Sequence, residues 1–387
     1  MGVGKSNNRQ LSSEESRFHQ VLVFTNTLQK LPTVTLILLI VMFSGIVALA
    51  WQDHSDVPVL YLLAASLNWV LLWLLPRVGR SYGPDRPSAL ALALLLMVLL
   101  LLPGLLGASD VVGIGLMILL TVVVFYATWV EPFNLRVIRQ NYVTAKLQAD
   151  APALQVLHIG DIHVERITPR EQLLNKLIAE LKPDIIVFSG DFVNLSYTHD
   201  DQAKAAIREV LQGWHAPLGV YCVPGTQTVE PLNRVKQFVS GLSNIKLLLN
   251  QWVTVDTPGG KFHILGMTTT HDLDVDCQTL SRLLENAPPA GFKLLLTHAP
   301  DVAPEADLAG IDLYVCGHTH GGQIRLPLIG ELFSGSHLGR KFVMGRYDLE
   351  RTTVYTTRGV GLEGLGAPRA RLLCPPEIIL WELKGNA

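Results

Sequence analysis

Four membrane-spanning helices followed by an α/β domain is the fold class that this 387-residue sequence predicts. Three observations carry it. Hydrophobic residues make up 49% of the chain and charged residues 17%, and nearly all of that apolar excess lies before residue 131. Four uncharged stretches follow one another there, each near the ~20 residues a bilayer-crossing helix needs. From about Ala151 the texture changes to short apolar runs, each closing on a polar or glycine-containing loop. The predicted organisation is a cytoplasmic segment over 1–32, four transmembrane helices over 33–130, a linker over 131–150, and the α/β domain over 151–387.

The spans read Thr33–Ala50, Val57–Pro76, Ala89–Gly107 and Val111–Val130. Buried core helices would carry more polar residues, and a cleaved signal peptide would not be followed by three more spans. Lys5, Arg9, Arg17 and Lys30 precede the first span, Arg77, Arg80 and Arg86 lie between the second and third, and Arg136, Arg139 and Lys146 follow the fourth. The connections Gln52–Asp56 and Ala108–Asp110 hold no Lys or Arg, so the positive-inside rule places both termini and the α/β domain in the cytoplasm of a multi-pass inner-membrane protein. Trp51, Trp73 and Trp129 fall at span ends, where interfacial rings are expected. Asn68 is a lone polar residue within the second span, read as helix-packing glue. The third and fourth spans must form a tight hairpin.

Downstream, VLHIGD, IIVFSGD, GVYCVPG, KLLLTH and LYVCGH read as buried strands. Helix-like stretches at Pro169–Leu181, Asp200–Gly213 and Pro231–Gly241 separate several of them, which argues for a site at the carboxyl ends of the strands. Trp252–Leu265 reads as two strands around Pro258-Gly259-Gly260, and the tail from Ile324 as further β structure. The four cysteines show no CxxC spacing, so reduced thiols are expected. A net charge of −2 offers no electrostatic reason to expect a nucleic-acid partner.

The strand ends carry the chemistry. Asp161-Ile162-His163 closes the first, Gly190-Asp191 the second, Lys293–Leu296 delivers His298, and Cys316-Gly317 delivers His318 and His320. In an extended segment residues two apart point the same way, so each pair can converge on one centre. Any one of these residues alone would be a turn former or a satisfied polar group. Six together, all at ends of apolar strands, point to a metal site, and mixed carboxylate and imidazole ligands suit Mn, Fe, Zn or Ni.

The motifs GDIHV, SGDFVN, LLTHAP and CGHTHGGQ, in this order, resemble the calcineurin-like metallophosphoesterases, whose pattern is D-x-H, G-D-x-x-D/N, G-N-H-D/E, a single H and G-H-x-H. The resemblance spans about Val156 to Leu383, and the ending from HTHGGQIRLPLIGE to PPEIILWEL is similar to the membrane-associated YkuE-type and transmembrane metallophosphoesterase-domain branch. It implies a four-layer α/β/β/α sandwich with two divalent ions between the sheets. Asp161, His163 and His320 would then hold the first ion, Asp191 would bridge, and His298 and His318 would hold the second. The implied activity is hydrolysis of a phosphodiester or pyrophosphate. Because the chain is membrane-anchored, the implied substrate is lipid-linked, such as the UDP-2,3-diacylglucosamine that relatives cleave in lipid A synthesis.

One motif departs from the pattern. VPGTQTVE stands in place of G-N-H-D/E: Thr226 replaces the Asn that ligates the second ion, and Gln227 replaces the His that assists the leaving group. A second ion would then be weakly held, and the loss of a general acid typically costs ~10²–10⁴-fold. Two accounts follow: an active hydrolase that recruits Asn194, His271 or Asp272, or a metal-binding pseudoenzyme serving as a membrane scaffold. His271 and Asp272 read as solvated loop. A transporter is a weaker third reading, because the spans lack charges. Arg325, Arg358, Arg369 and Arg371 are candidate phosphate contacts, and GVGLEGLGAPRARL reads as irregular loop, not a dinucleotide fingerprint.

Overall fold

The computed structural model describes residues 17–332 and 334–386. Lys5 and Arg9, used above to orient the first span, lie outside the described residues. A short helix α1 (Arg17–Thr27) leads into α2 (Thr33–Ala50), α3 (Asp56–Leu74), α4 (Asp85–Leu105) and α5 (Asp110–Phe125), the last prolonged by a π-helical turn at Tyr126–Val130. Among the described residues four helices are therefore long and apolar enough to cross a membrane, as expected.

They bury one stripe each and leave the rest outward, as lipid-facing helices do. Leu36, Ile40, Phe43 and Val47 of α2, Val57, Tyr61 and Ala65 of α3, and Ala93, Leu96 and Leu100 of α4 form the shared core at three- and four-residue spacing. Tyr61 Oη donates to the Ala93 carbonyl at 2.8 Å. Trp51 departs from the interfacial expectation: it is 2% exposed, and its Nε1 donates to the Leu100 carbonyl at 2.9 Å. Gly104 makes room for it, since a Cβ there would stand 2.4 Å from the indole nitrogen. Asn68 is buried in the bundle, but neither side-chain amide atom has a hydrogen-bond partner, so the expected packing bond is not formed.

The rest of the chain forms β1 (Arg136–Thr144), β2 (Leu154–Ile159), α6 (Pro169–Leu181), β3 (Ile185–Phe188), α7 (Asp201–Gln212), β4 (Val220–Cys222), α8 (Leu232–Val239), β5 (Ile245–Leu247), β6 (Gln251–Thr257) and β7 (Gly260–Gly266). There follow α9 (Leu273–Leu284), β8 (Phe292–Leu296), α10 (Ala303–Leu308), β9 (Leu313–Cys316), the small hairpin β10 (Arg325–Leu326) and β11 (Gly330–Glu331), then β12 (Gly345–Asp348), β13 (Thr353–Thr356) and β14 (Glu377–Gly385). Two six-stranded sheets result, in the orders β1-β14-β2-β3-β4-β5 and β12-β13-β9-β8-β7-β6.

Strict alternation along the strands builds four layers. In β3, Ile185 and Val187 face the other sheet while Ile186 and Phe188 face α6 and α7, meeting Leu174, Ile178 and Ile207. In β9, Leu313 and Val315 face inward and Tyr314 and Cys316 face α9 and α10, meeting Leu280 and Ala303. The α/β/β/α sandwich is thus present. The expected linker over 131–150 is corrected: Arg136–Thr144 is the edge strand β1, paired in parallel with β14 from Arg136 opposite Glu377 to Thr144 opposite Gly385. Its polar outer residues had masked a strand that needs a distant partner to form. All four cysteines are free.

The bundle is tied to the domain by specific bonds. Glu165 accepts from the Tyr82 N–H at 2.9 Å and from Arg369 Nε at 2.7 Å, and Arg371 N–H donates to the Ala127 carbonyl at 2.8 Å. Buried Glu131, just past the last span, accepts the N–H groups of Leu373 and Cys374. Three basic connections therefore lie at the domain end of the bundle, while His54 and Asp110 pair at the opposite end.

Candidate metal centre

Six parallel strands deliver the site, three from each sheet. Asp161 and His163 follow β2, Asp191 follows β3, Thr226 and Gln227 follow β4, His271 follows β7, His298 follows β8, and His318 and His320 follow β9. The strand carboxyl ends of both sheets open onto the same gap, so residues far apart in sequence meet there.

The reason for convergence differs from the one expected. Asp161, His163, Asp191, His318 and His320 all have positive φ, between 39° and 73°, so the segments are left-handed turns and not extended chain. Non-glycine residues in that region cost free energy that the surrounding structure must offset, a pattern concentrated at functional sites. Two glycines let the loops close on the carboxylates. A Cβ on Gly225 would stand 2.0 Å from Asp191 Oδ1, and one on Gly317 would stand 2.2 Å from Asp161 Oδ2.

Ligating atoms gather in two groups, and within each all of them lie within 4.8 Å of one another. Asp161, His163, Asp191 and His320 form one, and His271, His298 and His318 form the other. Asp191 joins the two, with Oδ2 3.4 Å from His163 Nε2 and 3.3 Å from His298 Nε2. Backbone carbonyls orient the rings. His298 Nδ1 lies 2.9 Å from Ser189 O, His163 Nδ1 3.3 Å from Val193 O, and His318 Nε2 3.1 Å from Gly335 O. A ring nitrogen facing a carbonyl carries the proton, so the other nitrogen turns its lone pair inward.

These residues fit divalent cations. His163 Nε2 and His320 Nε2 face each other at 2.9 Å, Asp161 Oδ2 is buried without a hydrogen-bond partner, and so is His271 Nε2. Lone pairs and carboxylates converging in a buried space require positive charge among them. Burial lifts the Asp161 carboxyl to about 6 against the pull of His298. Burial opposes ionisation of Asp191 too, but His298, His163 and the Thr226 N–H, which donates to its Oδ1 at 2.8 Å, together hold it well below the usual carboxylate range. Burial, then the neighbouring imidazoles, keep His320, His271 and His318 below the ordinary histidine value and so neutral, the form that ligates.

Asp161, His163, Asp191, His298, His318 and His320 all come together. The expectation of a solvated loop at His271 is corrected: its ring centroid lies 4.5 Å from that of His318 and 6.0 Å from that of His298. Its neighbour Asp272 points elsewhere, capping α9 through the N–H groups of Asp274 and Val275. Asn194 caps a short turn through Ser196 N–H and donates to the Leu362 carbonyl, so it is not a recruited ligand. Gln227 donates its amide to the Thr269 carbonyl at 3.2 Å. Buried Glu230, absent from the sequence-based set, accepts from Phe192 N–H, and burial with the nearby Asp191 charge pushes its carboxyl well up. The four arginines are committed to protein partners: Arg325 to Glu331, Arg358 to Glu377, Arg369 to Glu165, and Arg371 to the carbonyls of Arg358, Gly361 and Cys374. A cleft of about 710 Å³ between the end of α6 and the Gly213–Gly219 loop lies away from the centre and holds none of its residues.

The sequence profile of the calcineurin-like phosphoesterase family matches residues 154–322. The chain is similar to the phosphodiesterase YaeI of Escherichia coli (strain K12), with 32% identity over 267 residues that cover 67% of this chain and 92% of that one. It is also similar to the metallophosphoesterase YkuE of Bacillus subtilis (strain 168), 28% identical over 266 residues covering 67% of this chain and 90% of YkuE. The UDP-2,3-diacylglucosamine pyrophosphatase LpxG of Chlamydia trachomatis serovar D is 26% identical over 307 residues, covering 66% of this chain and 91% of LpxG.

Proposed function

Because the chain belongs to the calcineurin-like phosphoesterase family, we propose that it is a membrane-anchored, metal-dependent phosphoesterase acting on a lipid-linked phosphodiester or pyrophosphate at the cytoplasmic face. The observation that carries this reading is the pair of ligand groups joined through Asp191. Asp161, His163 and His320 would hold one ion, His298 and His318 the other, with Asp191 between them. Two such ions supply Lewis acidity to a phosphoryl oxygen and lower the pKa of a bound water. The protein's own contribution is to orient the imidazoles, to keep those of His271, His318 and His320 neutral, and to leave no proton donor at Gln227.

Two features support an amphipathic substrate. Starting five residues after His320, the β10–β11 hairpin presents Leu328, fully exposed, with Ile329 and Leu332 beside it. Arg325 of that hairpin bonds through its N–H to the Leu372 carbonyl, next to Arg371, which bonds to the end of the last span. The base of the hairpin is thus tied to the segment that meets the bundle, and its apolar tip offers a surface for an acyl chain. A UDP-2,3-diacylglucosamine-like pyrophosphate, the substrate named for LpxG, has this character and a good leaving group.

Full-length protein in detergent micelles, loaded with Mn²⁺, is expected to cleave bis(p-nitrophenyl) phosphate and the pyrophosphate of UDP-2,3-diacylglucosamine. Metal binding with no hydrolysis of either would favour the second reading, a catalytically impaired membrane scaffold, which the Thr226 and Gln227 replacements support. No metal binding at all would defeat both.

A further inference from the structure

The second ligand group is short of a residue at 226, and a different loop brings an imidazole to it. Thr226 places its hydroxyl 3.1 Å from His298 Nε2, one bond nearer the backbone than the amide oxygen of an asparagine would reach. His271, from the loop after β7, completes the triangle with His298 and His318, all ligating atoms within 4.8 Å. We propose that His271 is a ligand of the second ion, standing in for the missing side chain of the β4 loop. This assignment rests on the metal-centre reading above.

Three features of the loop argue that the position is built. His271 adopts φ 62°, a left-handed conformation uncommon for a non-glycine residue and held in place from both sides. Thr270 binds Asp276 through its N–H and hydroxyl, Asp272 caps α9, and the His271 carbonyl lies 2.9 Å from His337 Nε2. Its own Nε2 is buried with no hydrogen-bond partner, although a solvated loop histidine would turn it to water. The loop carrying His337 also supplies the Gly335 carbonyl that orients His318, and Asp301 anchors that loop through Ser336 Oγ at 2.6 Å and His337 N–H at 2.9 Å. One outer loop therefore orients the His318 imidazole and fixes the backbone of His271, the kind of outer support by which ligands are ordinarily positioned.

The test uses full-length protein in detergent, stripped with chelator and reloaded with Mn²⁺ alone. Stoichiometry is read by mass spectrometry and coupling between ions by electron paramagnetic resonance. Wild type is expected to hold two ions per chain with an exchange-coupled spectrum. His271→Ala is expected to retain one ion and lose the second, its dissociation constant rising by more than the roughly 10–100-fold that loss of an outer-sphere partner produces. His271→Asp, which restores a ligating atom, is expected to recover two ions, and retention of the first ion shows that His271→Ala is folded. Two tightly held, coupled ions in His271→Ala would overturn the assignment, as would failure of His271→Asp to recover the second. A wild type that binds no Mn²⁺ would instead defeat the metal-centre reading itself, and this assignment with it.

Discussion

Thr226 Oγ1 lies 3.1 Å from His298 Nε2, while the next side chain, Gln227, is tied to the Thr269 carbonyl. The β4 loop therefore meets the centre with a hydroxyl and a neutral amide, neither of which can deliver a proton to a departing oxygen. Turnover should depend steeply on leaving-group basicity. Thr226→Asn combined with Gln227→His is expected to raise turnover of an alkyl phosphodiester by about 10²-fold or more, and that of an activated aryl diester much less. Comparable high wild-type rates on both, unchanged in the double variant, would show that another group acts as the acid.

Asp191 and His318 should separate in metal analysis. Asp191 touches both groups, so Asp191→Ala is expected to lower occupancy at both positions, whereas His318→Ala should remove one ion only. Unchanged stoichiometry in both variants would refute the placement of the centre.

The charged connections predict a topology. With Cys277, the one half-buried thiol, replaced, cysteines introduced as His54→Cys and Lys384→Cys should behave oppositely in intact cells. An impermeant maleimide is expected to label position 54 and spare 384. The reverse pattern means the bundle is inverted.

His158 of β2 supplies a pH dependence independent of ions. It is fully buried beside Ser189, and burial drives its imidazole down to about 3 from an ordinary 6.5. The unfolded chain takes up that proton first, so the contribution is complete above pH 6.5 and erodes as pH falls towards 3. The loss is about 1.4 kcal/mol per pH unit in that window. Denaturant midpoints measured with chelator at pH 7.5 and 5.5 should differ less in His158→Gln than in wild type. An equal difference in the two proteins would show that His158 is not responsible.

Local signals made much of this molecule legible. Charge-free runs of about twenty residues can only be satisfied as helices when lipid or core surrounds them, so α2 to α5 were readable without a partner. Buried strands in a two-layered core are apolar on both faces, so β2, β3, β8 and β9 stood out, each with its site residue following directly. Asp161, His163, Asp191, His298, His318 and His320 were visible because each sits beside such a strand end.

What stayed hidden lacked a local cause. β1 is a strand only because β14, some 240 residues later, offers its edge. Trp51 is buried because Gly104 of another helix leaves a space for it. His271 sits in TTTHDLD, a sequence indistinguishable from a solvated turn, and only the packing of the 334–337 loop and the adjacent ends of β7, β8 and β9 carries its ring to His298 and His318. Periodicity and strand ends are properties of neighbouring residues, and the amino-acid order determined them. A ligand supplied by a turn is a property of two sheets meeting, which only the tertiary structure decided.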